Sequence, residues 1–231
     1  LAGLGVELRV LPDEIDPAVL RRIRLAAVDR RVSIAAVSGT FNMIHPDAQR
    51  RRDGLRRLNV TASASVELGA PLITLCTGTR DTKDMWRAHA ENDSPAAWRD
   101  LLSTLSAALE TAERYGVNLG VEPETANVIN SARQARRLLD EMKSSRLKII
   151  LDAANLFRPG DQPRMLEVLD EAFDLLGPDI VLAHAKELGR DGHAGGLAPG
   201  RGVLDWEHYV AQLKSASFEG ALIVHGVEES E

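Results

Sequence analysis

Val181-Leu182-Ala183-His184-Ala185-Lys186-Glu187 is the stretch on which the reading of this chain turns. It begins as a short apolar run and ends in three ionisable side chains. Charge is costly to bury without partners, so a strand buried along its whole length has no use for His, Lys and Glu at its end. A strand that delivers them to the mouth of a site does. Three other runs end in the same way: 117–124 with Glu122 and Glu124, 149–155 with Asp152 and Asn155, and 221–225 with His225.

Outward from that stretch, apolar runs at 5–10, 32–37, 71–76, 117–121, 147–151, 180–183 and 220–224 read as strands. Segments with helical spacing lie between them. Leu20, Ile23 and Ala27 follow the Asp16-Pro17 cap, and Leu55, Leu58, Ala62 and Val66 share a face. Ser94-Pro95 starts what reads as the longest helix, on Leu101, Leu102, Leu105, Leu109 and Ala112. Further helices are expected over 131–143 and 163–176, and behind Asp205 on Trp206, Tyr209, Val210 and Leu213. Two long loops, 80–93 and the glycine-rich 189–202, interrupt the alternation. Strand then helix, repeated, with strands too apolar to be half exposed, predicts a parallel sheet with helices outside it.

Polar residues at the C-terminal ends of strands fit both an open doubly wound sheet and a (β/α)8 barrel. No glycine-rich phosphate turn follows the first strand, and polar ends spread over four strands suit a closed ring. The expectation is a single (β/α)8 TIM barrel domain over 1–231, with the barrel's first strand and last helix lacking from this chain.

The 231 residues are 44% hydrophobic and 27% charged, the balance of a globular protein. Aromatic residues are only 4%, which leaves the core to Leu, Val, Ile and Ala. A net charge of −6 argues against a nucleic-acid partner, because binding phosphate needs a basic face. No membrane span or secretory signal is visible. Cys76 is the one cysteine, so no internal disulfide forms; a reducing, cytoplasmic setting is the matching expectation.

Glu122, Asp152, His184 and His225 each sit at or just past the end of an expected strand. Strand ends converge on the axis of a barrel, and two carboxylates with two imidazoles make a site for one divalent ion: Mn²⁺, Co²⁺, Mg²⁺, Fe²⁺ or Zn²⁺. Ca²⁺ fits less well, since it prefers an all-oxygen shell. Any one of these residues alone reads equally as a hydrogen-bonded buried polar group. Glu124 is either a second acid–base carboxylate or a loop cap, and Lys186 and Glu187 either line the site or pair with each other. Asn155 lies three residues past Asp152, within reach of the same mouth. Arg190 and Arg201 flank the glycine-rich loop and suit an anion or sugar-hydroxyl clamp, or are solvated arginines. His45, His89 and His193 sit in loops, and His45 is counted among the substrate contacts. Trp86 and Trp98 either wall a sugar or only pack.

Val121-Glu122-Pro123-Glu124, Leu151-Asp152-Ala153-Ala154-Asn155-Leu156, Ala183-His184-Ala185-Lys186-Glu187 and Gly200-Arg201-Gly202-Val203-Leu204-Asp205-Trp206 together resemble successive motifs of the xylose isomerase-like TIM-barrel superfamily. This is the group of sugar and sugar-phosphate isomerases and epimerases that includes endonuclease IV. The likeness runs from Gly5-Val6-Glu7-Leu8, similar to the family's second strand, to the eighth strand. It implies one divalent metal held by Glu, Asp, His and Glu, the first three falling on Glu122, Asp152 and His184. Arg190 resembles the substrate-binding Arg of the ketose epimerases, and Asn155 stands where that branch has a His. The chain departs from the pattern at His225, where the family's fourth ligand and second acid–base group is a Glu; Glu228 and Glu229 lie just downstream.

What the resemblance implies is a metal-dependent isomerase or epimerase of a small carbohydrate, moving a proton through a metal-stabilised enediolate. Glu122 is the expected base, with Lys186 or His225 as second proton carrier. A metal-dependent hydrolase or lyase, or a non-catalytic sugar-binding member, is compatible with the same barrel. A homo-oligomer is compatible too.

Overall fold

The computed structural model describes residues 11–226, so the strand expected over 5–10 and the carboxylates Glu228 and Glu229 lie outside the described residues. Two compact units divide the chain after Leu119. No helix among the described residues is long and apolar enough to cross a membrane.

The first unit opens with α1 (Pro17–Asp29), capped by the Asp16 carboxylate accepting from the Ala18 amide at 2.8 Å. Leu20 is its buried anchor. β1 (Val37–Ser38), α2 (Ala48–Leu68), β2 (Leu72–Leu75) and α3 (Pro95–Tyr115) follow. β1 and β2 are parallel, with Val37 beside Ile73 and Ser38 beside Thr74. Asp47 and Ser94 cap α2 and α3, and Gly69 and Gly116 end them in the left-handed conformation, which costs glycine nothing. Helix α2 packs on both α1 and α3. Leu101, Leu105 and Ala108 of α3 and Leu58 and Ala62 of α2 are fully buried, each leucine contributing about 2 kcal/mol of burial. The two helices have equal length, 21 residues, so α3 is not alone the longest.

The strand expected over 32–37 is corrected here. Arg31 takes a positive φ of 54°, and the Val32 amide donates to Ala27 O at 2.9 Å, which ties Val32 to the end of α1. No residue of 32–37 is buried, and the ladder begins only at Val37. An apolar run becomes strand only where a neighbour supplies hydrogen-bond partners.

β3 (Asn118–Val121) leads from the first unit into the second, which contains α4 (Ala132–Met142), β4 (Leu147–Asp152), α5 (Met165–Leu176), β5 (Ile180–Ala185), α6 (Trp206–Ser215) and β6 (Ala221–Val224). The helix expected over 163–176 begins as a 3₁₀ turn at Gln162–Arg164 and is α-helical from Met165. α4 packs on α5, and α5 on α6. β4, β5 and β6 are parallel neighbours. β4 is the buried strand foreseen, with Ile149, Ile150 and Leu151 at zero exposure, although it also carries Lys148 and Asp152. β6 is not: Leu222 and Val224 are exposed at 43% and 56%.

The register between β4 and β5 positions the site. Ile149 pairs with Ile180, but Ile150 pairs with Leu182, so the ladder slips by one residue between them. Leu151 then stands beside Ala183, and Asp152 beside His184. Without the slip Asp152 would stand beside Ala183, because side chains alternate faces along a strand. Bulges commonly re-aim a side chain at an active site, and this one brings the acid and the imidazole together.

Candidate metal centre

β3, β4 and β5 each deliver one group. Glu122 follows the last residue of β3, Asp152 ends β4, and His184 lies one residue before the end of β5. One ligand-capable atom from each of the three lies within 4.8 Å of the other two. His184 Nδ1 is 3.5 Å from Asp152 Oδ2 and 3.6 Å from Glu122 Oε1, longer than a hydrogen bond to either. The Asp152 carboxylate has no solvent exposure. Its Oδ1 accepts from the Ala154 amide at 3.1 Å, which leaves Oδ2 turned toward the imidazole.

Two side chains complete the cluster. Lys186 Nζ is 3.2 Å from Asp152 Oδ2, an ion pair without hydrogen-bond alignment, and donates to Asn155 Oδ1 at 3.0 Å. Asn155 Nδ2 donates to Glu122 Oε1 at 2.7 Å. The amide thus offers its NH₂ to the carboxylate and its oxygen to the ammonium, and both ends are matched. Lys186 and Glu187 do not pair with each other.

The electrostatics follow from two carboxylates held close together. Burial pulls the His184 imidazole down, but Asp152 and Glu122 outweigh it and push it up to about 9. Burial and the neighbouring Glu122 charge raise Glu124 to about 7. Glu124 also accepts from Asn127 Nδ2 at 2.9 Å, and its backbone N–H bonds Ile129 O, so it closes the loop after β3. The cluster is built to hold positive charge at the His184–Asp152–Glu122 apex.

His225 follows β6, and its amide donates to Ala185 O at 3.0 Å. Its ring centroid is 4.5 Å from that of His184, at 52°. Burial first, and then the His184 charge, hold it below the usual imidazole value, which keeps it in the neutral form that can ligate. His225 does not belong to the three-residue group whose ligand atoms converge.

The residues fit a metal on an observation independent of any resemblance. Asp152 Oδ2, His184 Nδ1 and His225 Nε2 are buried polar atoms with no hydrogen-bond partner among the described residues. Buried polar atoms are ordinarily satisfied, and orphans at the ends of three neighbouring strands indicate a missing partner. Two carboxylate oxygens with imidazole nitrogen suit Mn²⁺, Fe²⁺, Co²⁺ or Zn²⁺.

Other expected site residues are placed differently. Arg190 and Arg201 are exposed on the glycine-rich loop, and no hydrogen bond or ion pair of the cluster reaches them among the described residues. His45 is buried in the first unit, where its Nδ1 accepts from the Asp47 amide at 3.0 Å. His89 Nδ1 accepts from the Glu91 amide at 3.2 Å and caps a short 3₁₀ turn, while His193 is exposed. Trp98 packs inside α3, and Trp86 is exposed.

Two supports were not foreseen. Glu187 has no exposed surface and collects four donors: Oε1 accepts from the amides of Leu188 and Leu204, both at 3.0 Å, and Oε2 from the Gly200 amide at 2.6 Å and Trp206 Nε1 at 2.9 Å. Burial works to raise this carboxyl, but Trp206 and the backbone donors prevail and hold it below the usual range. Gly202 is required beside it, because a Cβ there would lie 2.2 Å from Leu188 O and 2.5 Å from Glu187 Cγ. The second support is Tyr209, fully buried in α6, whose hydroxyl lies 3.2 Å from both Leu151 O and His184 O. One O–H shared between the backbones that carry Asp152 and His184 clamps the two ligand strands just past the slip in their register.

Tyr209→Phe keeps the ring and removes the clamp. It is expected to weaken divalent-metal affinity by about ten-fold, the low end for groups that orient ligands, and to cost about 1 kcal/mol of stability. Calorimetric metal titration beside thermal melting checks this; unchanged affinity would show that the strands need no clamp.

The chain is thus a parallel strand–helix protein with a carboxylate–imidazole cluster at its strand ends that could hold a metal ion. The pattern of the xylose isomerase-like TIM barrel matches residues 4–230, and the chain belongs to that family. A D-psicose 3-epimerase from Enterocloster bolteae is 29% identical over 118 residues, a stretch that is 50% of this chain and 35% of that protein. The matched stretch thus spans about a third of the relative's length. Among solved structures, the 3-keto-D-glucoside 4-epimerase of E. coli superposes with a TM-score of 0.70 at 20% identity, covering 94% of this chain and 82% of that one. A xylose isomerase-like TIM barrel protein from Mycobacterium smegmatis, in complex with magnesium, gives a TM-score of 0.71 at 15% identity, covering 94% and 74%. At such identities these two show a shared fold.

Proposed function

We propose that this chain carries the centre of a divalent-metal-dependent sugar isomerase or epimerase, which removes a proton from a carbon next to a carbonyl and returns it. The observation that carries this reading is the convergence of Glu122, Asp152 and His184, with Asp152 Oδ2 and His184 Nδ1 buried and without hydrogen-bond partners among the described residues. The similarity to a D-psicose 3-epimerase supports the substrate class, a small ketose or keto-sugar. Glu122, Asp152 and His184 would hold the metal, with His225 as a fourth group beside them. When bound, the metal supplies Lewis-acid polarisation of adjacent substrate oxygens.

The chain's own residues have separable roles. Glu122 is the proposed base: its Oε1 is held by Asn155, and its side chain is 22% exposed, open to a substrate where Asp152 is not. Asn155 orients both Glu122 and the Lys186 ammonium. Lys186 and His225 are the candidates to return the proton on the other side. Arg190 and Arg201 stand on a loop suited to contact sugar hydroxyls.

Incubating Mn²⁺-loaded protein with a panel of ketoses in heavy water tests the reading. Deuterium is expected at a carbon adjacent to the carbonyl, and Glu122→Gln is expected to abolish its entry. No exchange across the panel, in protein shown to bind metal, would turn the reading toward a hydrolase or lyase on the same barrel.

A further inference from the structure

Lys186 is placed where a lysine works against a metal site. It lies two residues past His184, and its ammonium is 3.2 Å from Asp152 Oδ2, the same buried oxygen that faces the imidazole. Its side chain is 21% exposed, so a hydrated position is open to it, whereas Asp152 has no exposure at all. Its one hydrogen bond to a side chain in the cluster goes to Asn155 Oδ1 at 3.0 Å. The ammonium therefore pairs with a carboxylate whose other ion-pair neighbour among the described residues is the His184 ring.

We propose that Lys186 is a built-in cation that holds the metal's place on Asp152 and must be displaced for a divalent ion to bind. This rests on the reading of Glu122, Asp152 and His184 as a metal site. Two effects act in the same direction. A metal taking Asp152 Oδ2 breaks the Lys186 ion pair, and the ammonium then stands beside a second positive charge in a partly desolvated site, where like charges repel strongly. Both weaken the metal. In return Lys186 keeps the cluster close to neutral before the metal arrives, and is released beside Asn155 when it does. The lysine exchanges affinity for a folded, receptive site.

The test is calorimetric titration of Mn²⁺ into wild type, K186M and K186R, with thermal melting of each in chelator and in excess Mn²⁺. K186M is expected to bind Mn²⁺ about ten-fold tighter or more than wild type, to melt lower in chelator, and to gain more from Mn²⁺. K186R keeps the charge and is expected to bind no tighter than wild type. K186Q takes the place of the methionine variant should that fail to fold. Metal bound by wild type with K186M no tighter overturns the inference alone, as does equal tightening by K186R. No metal bound by either wild type or K186M overturns the inference and the metal reading together, while metal bound only by K186M supports both.

Discussion

Glu187→Ala is expected to destabilise the protein by about 4 kcal/mol, a loss near 10 °C in melting temperature for a chain of this size. The carboxylate has zero exposure and satisfies the amides of Leu188, Gly200 and Leu204 and the indole of Trp206. Removing it strands these donors, each costing about 1–3 kcal/mol before water or relaxation recovers part of the sum. Glu187→Gln keeps the volume but places an NH₂ donor among donors, so it should recover little. The pH dependence has a definite sign. The folded carboxyl is held below its ordinary value of 4.5, so its contribution is complete above that value and is lost as the pH falls through the depressed folded one. Thermal melts of wild type and Glu187→Ala should therefore converge in acid. A variant that melts within 2 °C of wild type at neutral pH, a difference of about 1 kcal/mol, would show that the loop holds without its carboxylate.

Asp152→Asn is expected to abolish measurable divalent-metal binding. Groups that merely orient ligands cost about 10–100-fold when removed, and Asp152 is proposed as a ligand itself, so the loss should exceed about 100-fold. The amide fits the same space and can still accept from Ala154, so circular dichroism should report an unchanged fold. Metal-dependent deuterium exchange would vanish with the metal. Mn²⁺ binding retained within a few-fold in calorimetry would relocate the metal to other groups. The same result would remove the reason for the three orphaned atoms at Asp152, His184 and His225.

The alternation of strand and helix was legible because strong local signals mark it. Asp16, Asp47, Ser94 and Ser131 cap helices through their side chains, and Gly69 and Gly116 end them. The strand-end residues Glu122, Asp152 and His184 were legible for a different reason: an ionisable group has no business at the end of an apolar run unless something there uses it. What could not be read depends on partners distant in sequence. The apolar run at 32–37 looked like strand, but its ladder begins only at Val37. Lys186 and Glu187 are adjacent and both charged, and nothing local says that one turns toward Asp152 while the other turns into the backbone of 200–204. Tyr209 read as one more apolar position on a helix, because a hydroxyl shows its use only when the carbonyls it meets are known.

The one-residue slip between β4 and β5 makes the centre a matter of parity. A strand has two faces, so the meeting of Asp152 and His184 depends on whether the count of residues from the shared register at Ile149 and Ile180 is odd or even on each side. From Ile149 to Asp152 is three steps, and from Ile180 to His184 is four. Chemistry is thereby encoded in a difference of one, a quantity that composition, hydrophobicity and motif spelling all leave unchanged. Two relatives could carry the same Asp and the same His in equally apolar strands and differ only in that count. One would assemble a centre, and the other would point its imidazole at a helix.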